Sequence, residues 1–363
     1  MPDMPDWTRS MKQTFEYYKV DPISWRDTDE IKVVKSSEID WDSDTDTLLS
    51  ATLDITGEMD ECYIRIYLIA TQDRIEYRIP LATCLVQTPA TKYNGRYKSQ
   101  TLDAYSPLTE LKETYPPFGY SVLKGNVIMP LASQLCAENL RAPVIPSIDD
   151  KLLETDFVSD PQEKWMEFLP SFMANAKFRF GLEPTGEVIF QPVQEIASLR
   201  EKWTYSDDNS SILYSDLDVE RDLYGIPNII EVFFTQGSYH LHTRVINNDP
   251  NSPVSTVSRG REIVYRETDP DVFGIPNQQQ LNDYALERLR NLSSLEYTVT
   301  YSHGYCPVRI GDCVLLNYQR AGLSNIKALV KSQHITCRPG CKVDEMAVFT
   351  TEVGTKFVVD LDD

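Results

Sequence analysis

The sequence predicts an α+β protein that is mainly β, with two antiparallel β-barrel-like domains and an α/β region inserted between them. Three observations carry this. Short runs of alternating apolar and polar residues follow one another from Leu48 to Leu102 and return after Leu199, the period-two pattern of half-buried strands. Helical spacing is confined to the middle of the chain and to one segment before Leu295. The composition is aromatic, with 20 Tyr and 13 Phe and a hydrophobic content of 41%, which favours folded β structure over disorder.

Residues 1–30 read as an N-terminal arm, because Pro2, Pro5 and Pro22 interrupt a continuous element; Phe15, Tyr17 and Tyr18 can start a strand there. The first barrel domain spans 31–105, with strands from 200–235 available to complete it. Ile31–Ile39 alternates, and further strands are expected at Leu49–Ile55, Glu61–Ala70, Arg74–Pro80, Cys84–Thr91 and Arg96–Ala104. Tyr93-Asn94-Gly95-Arg96 carries the Asn-Gly pair of a tight hairpin. Between the first two strands, Asp40, Asp42, Asp44 and Asp46 place carboxylates at every second position. A calcium loop needs glycine at its sixth position and glutamate at its twelfth. Counted from Asp40 those are Thr45 and Ala51, and from Asp42 they are Thr47 and Leu53. The stretch reads as a solvated acidic hairpin.

The inserted region, 106–200, begins where Pro107, Pro116, Pro117 and Gly119 break the strand pattern. A helix is expected over 129–140 with Pro130 in its first turn. A second helix is expected over 160–177, with Asp160 as N-cap, Pro161 at the first helical position and Glu163 as capping-box partner. Trp165, Phe168, Leu169, Phe172, Met173 and Ala176 fill one face of it. Pro170 inside that run removes a helical hydrogen bond at a cost of about 3 kcal/mol, which predicts a kink or a break. A hairpin over 178–192 follows, turning at Glu183-Pro184-Thr185-Gly186.

The second barrel domain, 201–363, carries expected strands near Ser211–Glu220, Ile229–Thr235, His240–Ile246 and Glu262–Glu267. Asn247–Gly260, rich in Asn, Ser, Pro and Gly, reads as a mobile loop. A helix over 277–292, capped at Pro276-Asn277, presents Leu281, Tyr284, Ala285, Leu289 and Leu292 on one face. Strands then follow at Leu295–Tyr301, Val314–Tyr318 and Ile326–Ile335. The turn Ile310-Gly311-Asp312 supplies backbone freedom, and its aspartate is expected to bond the amides that follow it.

These motifs together carry a resemblance. Asp283-Tyr-Ala-Leu-Glu-Arg-Leu-Arg290 before an alternating strand and Arg309-Ile-Gly-Asp-Cys-Val314 resembles the distal domain of bacteriophage tail and baseplate hub proteins. The Trp165 helix followed by a hairpin with Gly186 in its turn, ending on Phe190 and Pro192, resembles the same family's middle region. Leu102-Asp-Ala-Tyr105 is similar to its first domain, and Asp222-Leu-Tyr-Gly-Ile-Pro-Asn228 to the loop that returns to the barrel layer. The resemblance runs from about Ile31 to Thr351.

It implies a structural virion protein of the phage tail, assembled in the host cytoplasm: a homotrimeric hub at the distal end of the tail. The implied partners are the distal tail protein or tail tube, the spike or tip protein, baseplate wedge proteins and the tape measure protein. DNA would pass through the channel without specific binding. Two-barrel spike proteins of secretion systems share the architecture. A hub works through whole surfaces, so no catalytic, cofactor-binding or metal residues are assigned.

Chemistry read from the residues agrees. Net charge is −20, from 55 acidic and 35 basic residues, the opposite of a nucleic-acid footprint, although an acidic wall would let a phosphate backbone slide past without sticking. The N-terminus lacks a basic segment followed by an apolar one, and no apolar run approaches the roughly 20 residues of a membrane helix. The seven cysteines are expected as reduced thiols. Cys306, Cys313, Cys337 and Cys341, near His334, lack the spacing of a common zinc site. His240 and His242 share a strand face as a candidate metal pair without a third ligand. No nucleophile elbow, P-loop or zinc-protease motif occurs, so the chain is read as not an enzyme. A cell-wall or polysaccharide hydrolase on a β scaffold remains the alternative, since paired carboxylates are brought together only in space. A carbohydrate-binding module is the third class.

Overall fold

The computed structural model describes residues 4–95, 97–208, 211–221, 223–268, 270, 276–351 and 357–360. Arg96 of the expected hairpin and Asp222 of the loop motif lie outside them. The chain is mainly β with large antiparallel sheets. It divides into two compact units, Met1–Leu217 with Thr300–Ala347 and Asp218–Val299 with Val348–Asp363.

In the first unit the alternating runs pair edge to edge, strand by strand. Leu323–Thr336 neighbours Val34–Asp42, followed by Leu49–Thr56, Tyr97–Tyr105, Ile75–Asn94, Tyr63–Gln72, Lys12–Val20 and Asp27–Glu30. Lys12–Val20, within the segment read as an arm, pairs along its length with Tyr63–Gln72. The two strands expected over 74–80 and 84–91 are one strand of 20 residues. Its register slips opposite Ile66/Tyr67 and again between Val86 and Thr88. Such bulges let a long strand bend and serve different partners along its length. The sheet's inward face is closed by Ile39, Leu53, Ile64, Ile66, Leu68 and Leu102, all essentially without solvent exposure. One strand of this unit, Glu201–Ser206, falls in the 200–235 stretch expected to supply strands to the first domain, although the sequence pattern does not single out its bounds. It runs parallel to Cys313–Tyr318, and a parallel partner must arrive by a long crossover that local patterning does not reveal.

The inserted region supplies helices Ile128–Asn139 and Trp165–Ala174. The second starts later than the 160 expected. Asp160 and Glu163 form a separate turn, with the Glu163 carboxylate accepting from Asp160 N at 3.0 Å, while Glu167 accepts from Lys164 N at 3.1 Å to begin the helix. Pro170 does not break it. Phe168 and Phe172 are fully buried on one face, and that aromatic packing, with Phe168 edge-on to Trp165 and Tyr120, offsets the missing hydrogen bond.

The hairpin Phe178–Leu182 to Val188–Pro192 then plugs its turn into the large sheet. Trp25 Nε1 and Arg65 Nη2 each donate to the Thr185 carbonyl at 2.8 Å, and Thr83 Oγ1 donates to the Pro184 carbonyl at 2.8 Å. Gly186 sits at φ +90, and a Cβ there would lie 2.8 Å from Trp25 Cζ2. Only glycine combines that conformation with that approach.

In the second unit, Val264–Glu267, Ile229–Gln236, Tyr239–Asn247 and Phe357–Asp360 form a four-stranded sheet. The helix Gln278–Leu292 covers it, burying Leu281, Ala285 and Leu289 against Ile230, Val232 and Val245. Its start is a reciprocal cap: Gln280 N donates to Asn277 Oδ1 and Asn277 N to Gln280 Oε1, both at 2.9 Å. The loop after Asn247, expected as mobile, is knitted together instead. Asn247, Asp249, Ser252 and Ser255 are buried, Asn247 Nδ2 donates to Ser252 Oγ at 3.2 Å, and Ser255 caps the short helix Thr256–Arg259. Side chains that signal a loop in sequence here satisfy one another's backbone.

Candidate functional site

Two groups of polar side chains in the first unit stand apart from ordinary surface chemistry. The first is enclosed. Glu345 lies on Lys342–Thr351 at the same parity as Val343, Ala347 and Phe349, so strand geometry turns its carboxylate into the core with theirs. Glu345, His303, Tyr205, Tyr301 and Cys306 have essentially no solvent exposure.

The carboxylate accepts from Tyr301 Oη and from Gln333 Nε2, both at 2.5 Å, and faces His303 Nε2 at 3.3 Å. Tyr205 Oη lies 3.1 Å from His303 Nε2 and 3.2 Å from Cys306 Sγ. His303 Nδ1 donates to the Gly304 carbonyl at 2.7 Å. Burial alone would push the imidazole pKa down, but hydrogen bonds to Cys306 and Glu345 and the Glu345 charge outweigh it and raise it to about 10. The imidazole is therefore biased toward its protonated form beside the Glu345 carboxylate. Tyr301 and Tyr205 are pushed upward, first by burial and then by the Glu345 charge. The set contains acid–base groups, yet nothing in it meets solvent. Its chemistry is that of a satisfied internal network.

The second group is open. A cleft of about 450 Å³ is walled by Trp41, Leu48, Leu81, Phe180 and Leu182 and carries Arg179, Gln191, Lys202 and Asp312. Gly311, at φ +85, lets Arg179 lie across the turn, since a Cβ on Gly311 would stand 2.8 Å from Arg179 Nη2. Asp312 closes that turn backward, not forward as expected: its carboxylate accepts from Arg309 N at 2.9 Å.

The residues singled out in sequence are dispersed. In the acidic hairpin, Asp44 pairs with Lys331 at 3.1 Å and Asp46 with Lys112 at 3.2 Å, while Asp42 accepts from Asp44 N at 2.9 Å. His240 and His242 are exposed on one strand face; His240 Nδ1 contacts Thr235 Oγ1 at 3.2 Å and His242 stacks on Phe233. His334 Nδ1 meets Asp40 Oδ1 at 2.6 Å. All seven cysteines are free, and Cys306, Cys313, Cys337 and Cys341 are buried. Among the described residues no three His, Cys, Asp or Glu side chains are grouped to hold a metal. Tyr205, Gln333, Glu345 and Arg179 were missed in the sequence, although the parity of Glu345 with three core positions was a readable signal.

No helix among the described residues is long and apolar enough to cross a membrane. Large apolar side chains are nevertheless exposed in the inserted region, including Tyr115, Leu123, Ile145 and Val158, with Phe118 91% and Ile148 95% exposed.

No family model matches the chain, and no curated protein matches it in sequence. Solved structures do match. A tail protein from Neisseria meningitidis MC58 superposes with a TM-score of 0.63 at 13% identity, covering 93% of this chain and 96% of that one. The 43 kDa tail protein of prophage MuSo2 from Shewanella oneidensis gives 0.59 at 10% identity, covering 93% and 98%. A chain of the half-lidded PdpA–VgrG complex of Francisella gives 0.59 at 8% identity, covering 96% of this chain and 60% of that one. The chain shares its fold with these tail proteins.

Proposed function

We propose that this chain, which has the fold of phage tail proteins, is a structural tail component. In this reading it is a homotrimeric hub at the distal end of the tail that joins the tube to the spike and baseplate. The hub would also line the channel for the tape measure and DNA. One observation carries the proposal: the match to tail proteins runs through nearly the whole of both chains, 93% of this one and 96% of the Neisseria protein, so it covers the whole architecture and is more than a shared motif.

Three further features support it. Two β-rich units per chain would give six in a trimer, a count that lets a threefold object continue a sixfold tube. Exposed apolar side chains such as Phe118 and Ile148 are what a subunit keeps for burial against neighbours. The net charge of −20 would repel a phosphate backbone passing alongside.

Light scattering with negative-stain imaging of the same sample tests this. The expected result is a threefold ring with a central hole at three times the 41.6 kDa chain mass. A monomer that cleared a cell-wall suspension would overturn it.

A further inference from the structure

The open cleft holds an arginine that the fold does not neutralise. Arg179 is half-buried, its Nε has no hydrogen-bond partner, and no ion pair to its guanidinium forms among the described residues. The acids near it are engaged. Asp44, the carboxylate whose charge Arg179 feels, pairs with Lys331; Glu183 pairs with Arg309; Asp312 accepts from Arg309 N and is held above the usual carboxylate range by burial. A desolvated guanidinium cannot escape its charge by losing a proton. Its planar fork matches a carboxylate in two-point geometry.

The walls decide which anion fits. Trp41, Phe180, Leu81 and Leu182 are apolar, and the charges of Lys202 and Arg309 are offset by those of Glu183 and Asp312 in the same lining. Arg179 is left as the net positive charge, which suits a singly charged anion better than a multiply charged phosphate or a nucleic-acid backbone. A single carboxylate beside an apolar side chain matches both features, and the volume falls within the usual range for ligand pockets.

We propose that this cleft is a docking site for a peptide segment of a partner protein that ends in an apolar residue with a free carboxylate, with Arg179 as the anion receptor. Nothing in this depends on the oligomeric state of the chain.

Titration calorimetry on the full chain tests it, with acetyl-Leu-Phe bearing a free carboxylate as the probe and acetyl-Leu-Phe-amide as its neutral twin. The acid should bind at least tenfold more tightly than the amide. Arg179→Gln should bring the acid down to the affinity of the amide and leave the amide unchanged. A thermal melt of that variant at or above the parent's Tm shows that the loss is local. Equal binding of acid and amide, binding of neither, or displacement of the acid by inorganic phosphate would overturn the proposal. So would unchanged binding by the variant. A trimer that fails to bind the acid sinks the docking site alone, whereas a monomer that binds it leaves the site standing and counts against the hub.

Discussion

The enclosed cluster and the open cleft face the same physical problem and meet it in opposite ways. Each holds a basic side chain of the first unit away from bulk water. In the cluster His303 is matched by Glu345, and Tyr301 and Gln333 complete the carboxylate's hydrogen bonds. In the cleft Arg179 has no such partner among the described residues. A buried charge whose partners are all internal has a structural role, because every donor and acceptor is committed to the fold. A half-buried charge left open in a cleft is free to act on something outside it. Burial alone therefore does not separate structural polar groups from functional ones; where the partner lies does.

The largest expected effect breaks the enclosed pair. Glu345→Ala removes the countercharge of His303 and strands the Tyr301 and Gln333 donors, and should destabilise by about 3–5 kcal/mol in urea unfolding. Glu345→Gln, which keeps an acceptor, should lose less. If the alanine variant costs under about 1 kcal/mol, the cluster is no more tightly bound than a surface pair and the contrast with Arg179→Gln fails.

An intermediate effect comes with pH. The folded His303 pKa of about 10 lies above its unfolded value of about 6.5. Its stabilisation is therefore complete below about pH 6.5 and lost as pH rises through 10. Ionisation of Tyr205 and Tyr301, whose pKa values are also raised, adds loss of the same sign above that. Tm should fall steadily from neutral to alkaline pH, and His303→Gln should flatten the decline between 7 and 10. A flat parent profile over that range would show that the imidazole is neutral in the fold.

The smallest effect sharpens the comparison from outside. Asp44→Asn removes an ion pair in which the Asp44 side chain is 63% exposed, so it should change stability by about 0.5 kcal/mol or less, and by less still at high salt. A change several times larger would mean that the acidic hairpin supports the cleft, because the Asp44 charge also reaches Arg179.

The sequence by itself determined which segments are strands and helices wherever one face is buried. The reason is that burial imposes a period, two for Leu49–Thr56 and 3.6 for Gln278–Leu292, and the period is written in residue type. The cap at Asn277 and the glycine turns at Gly186 and Gly311 were legible for the same local reason.

Only tertiary structure decided the rest. Asp160 and Trp165 compete to start one helix, and packing of Phe168 and Phe172 settles the start at Trp165 and carries the helix through Pro170. Glu201–Ser206 finds its partner more than a hundred residues away, at Cys313–Tyr318. The Asn247–Gly260 loop looked free because its polar side chains are local in sequence but satisfied in space. Pairing His303 with Glu345, while leaving Arg179 open beside Gly311, depends on which strands become neighbours. That choice is made by long-range pairing, which local periodicity does not encode.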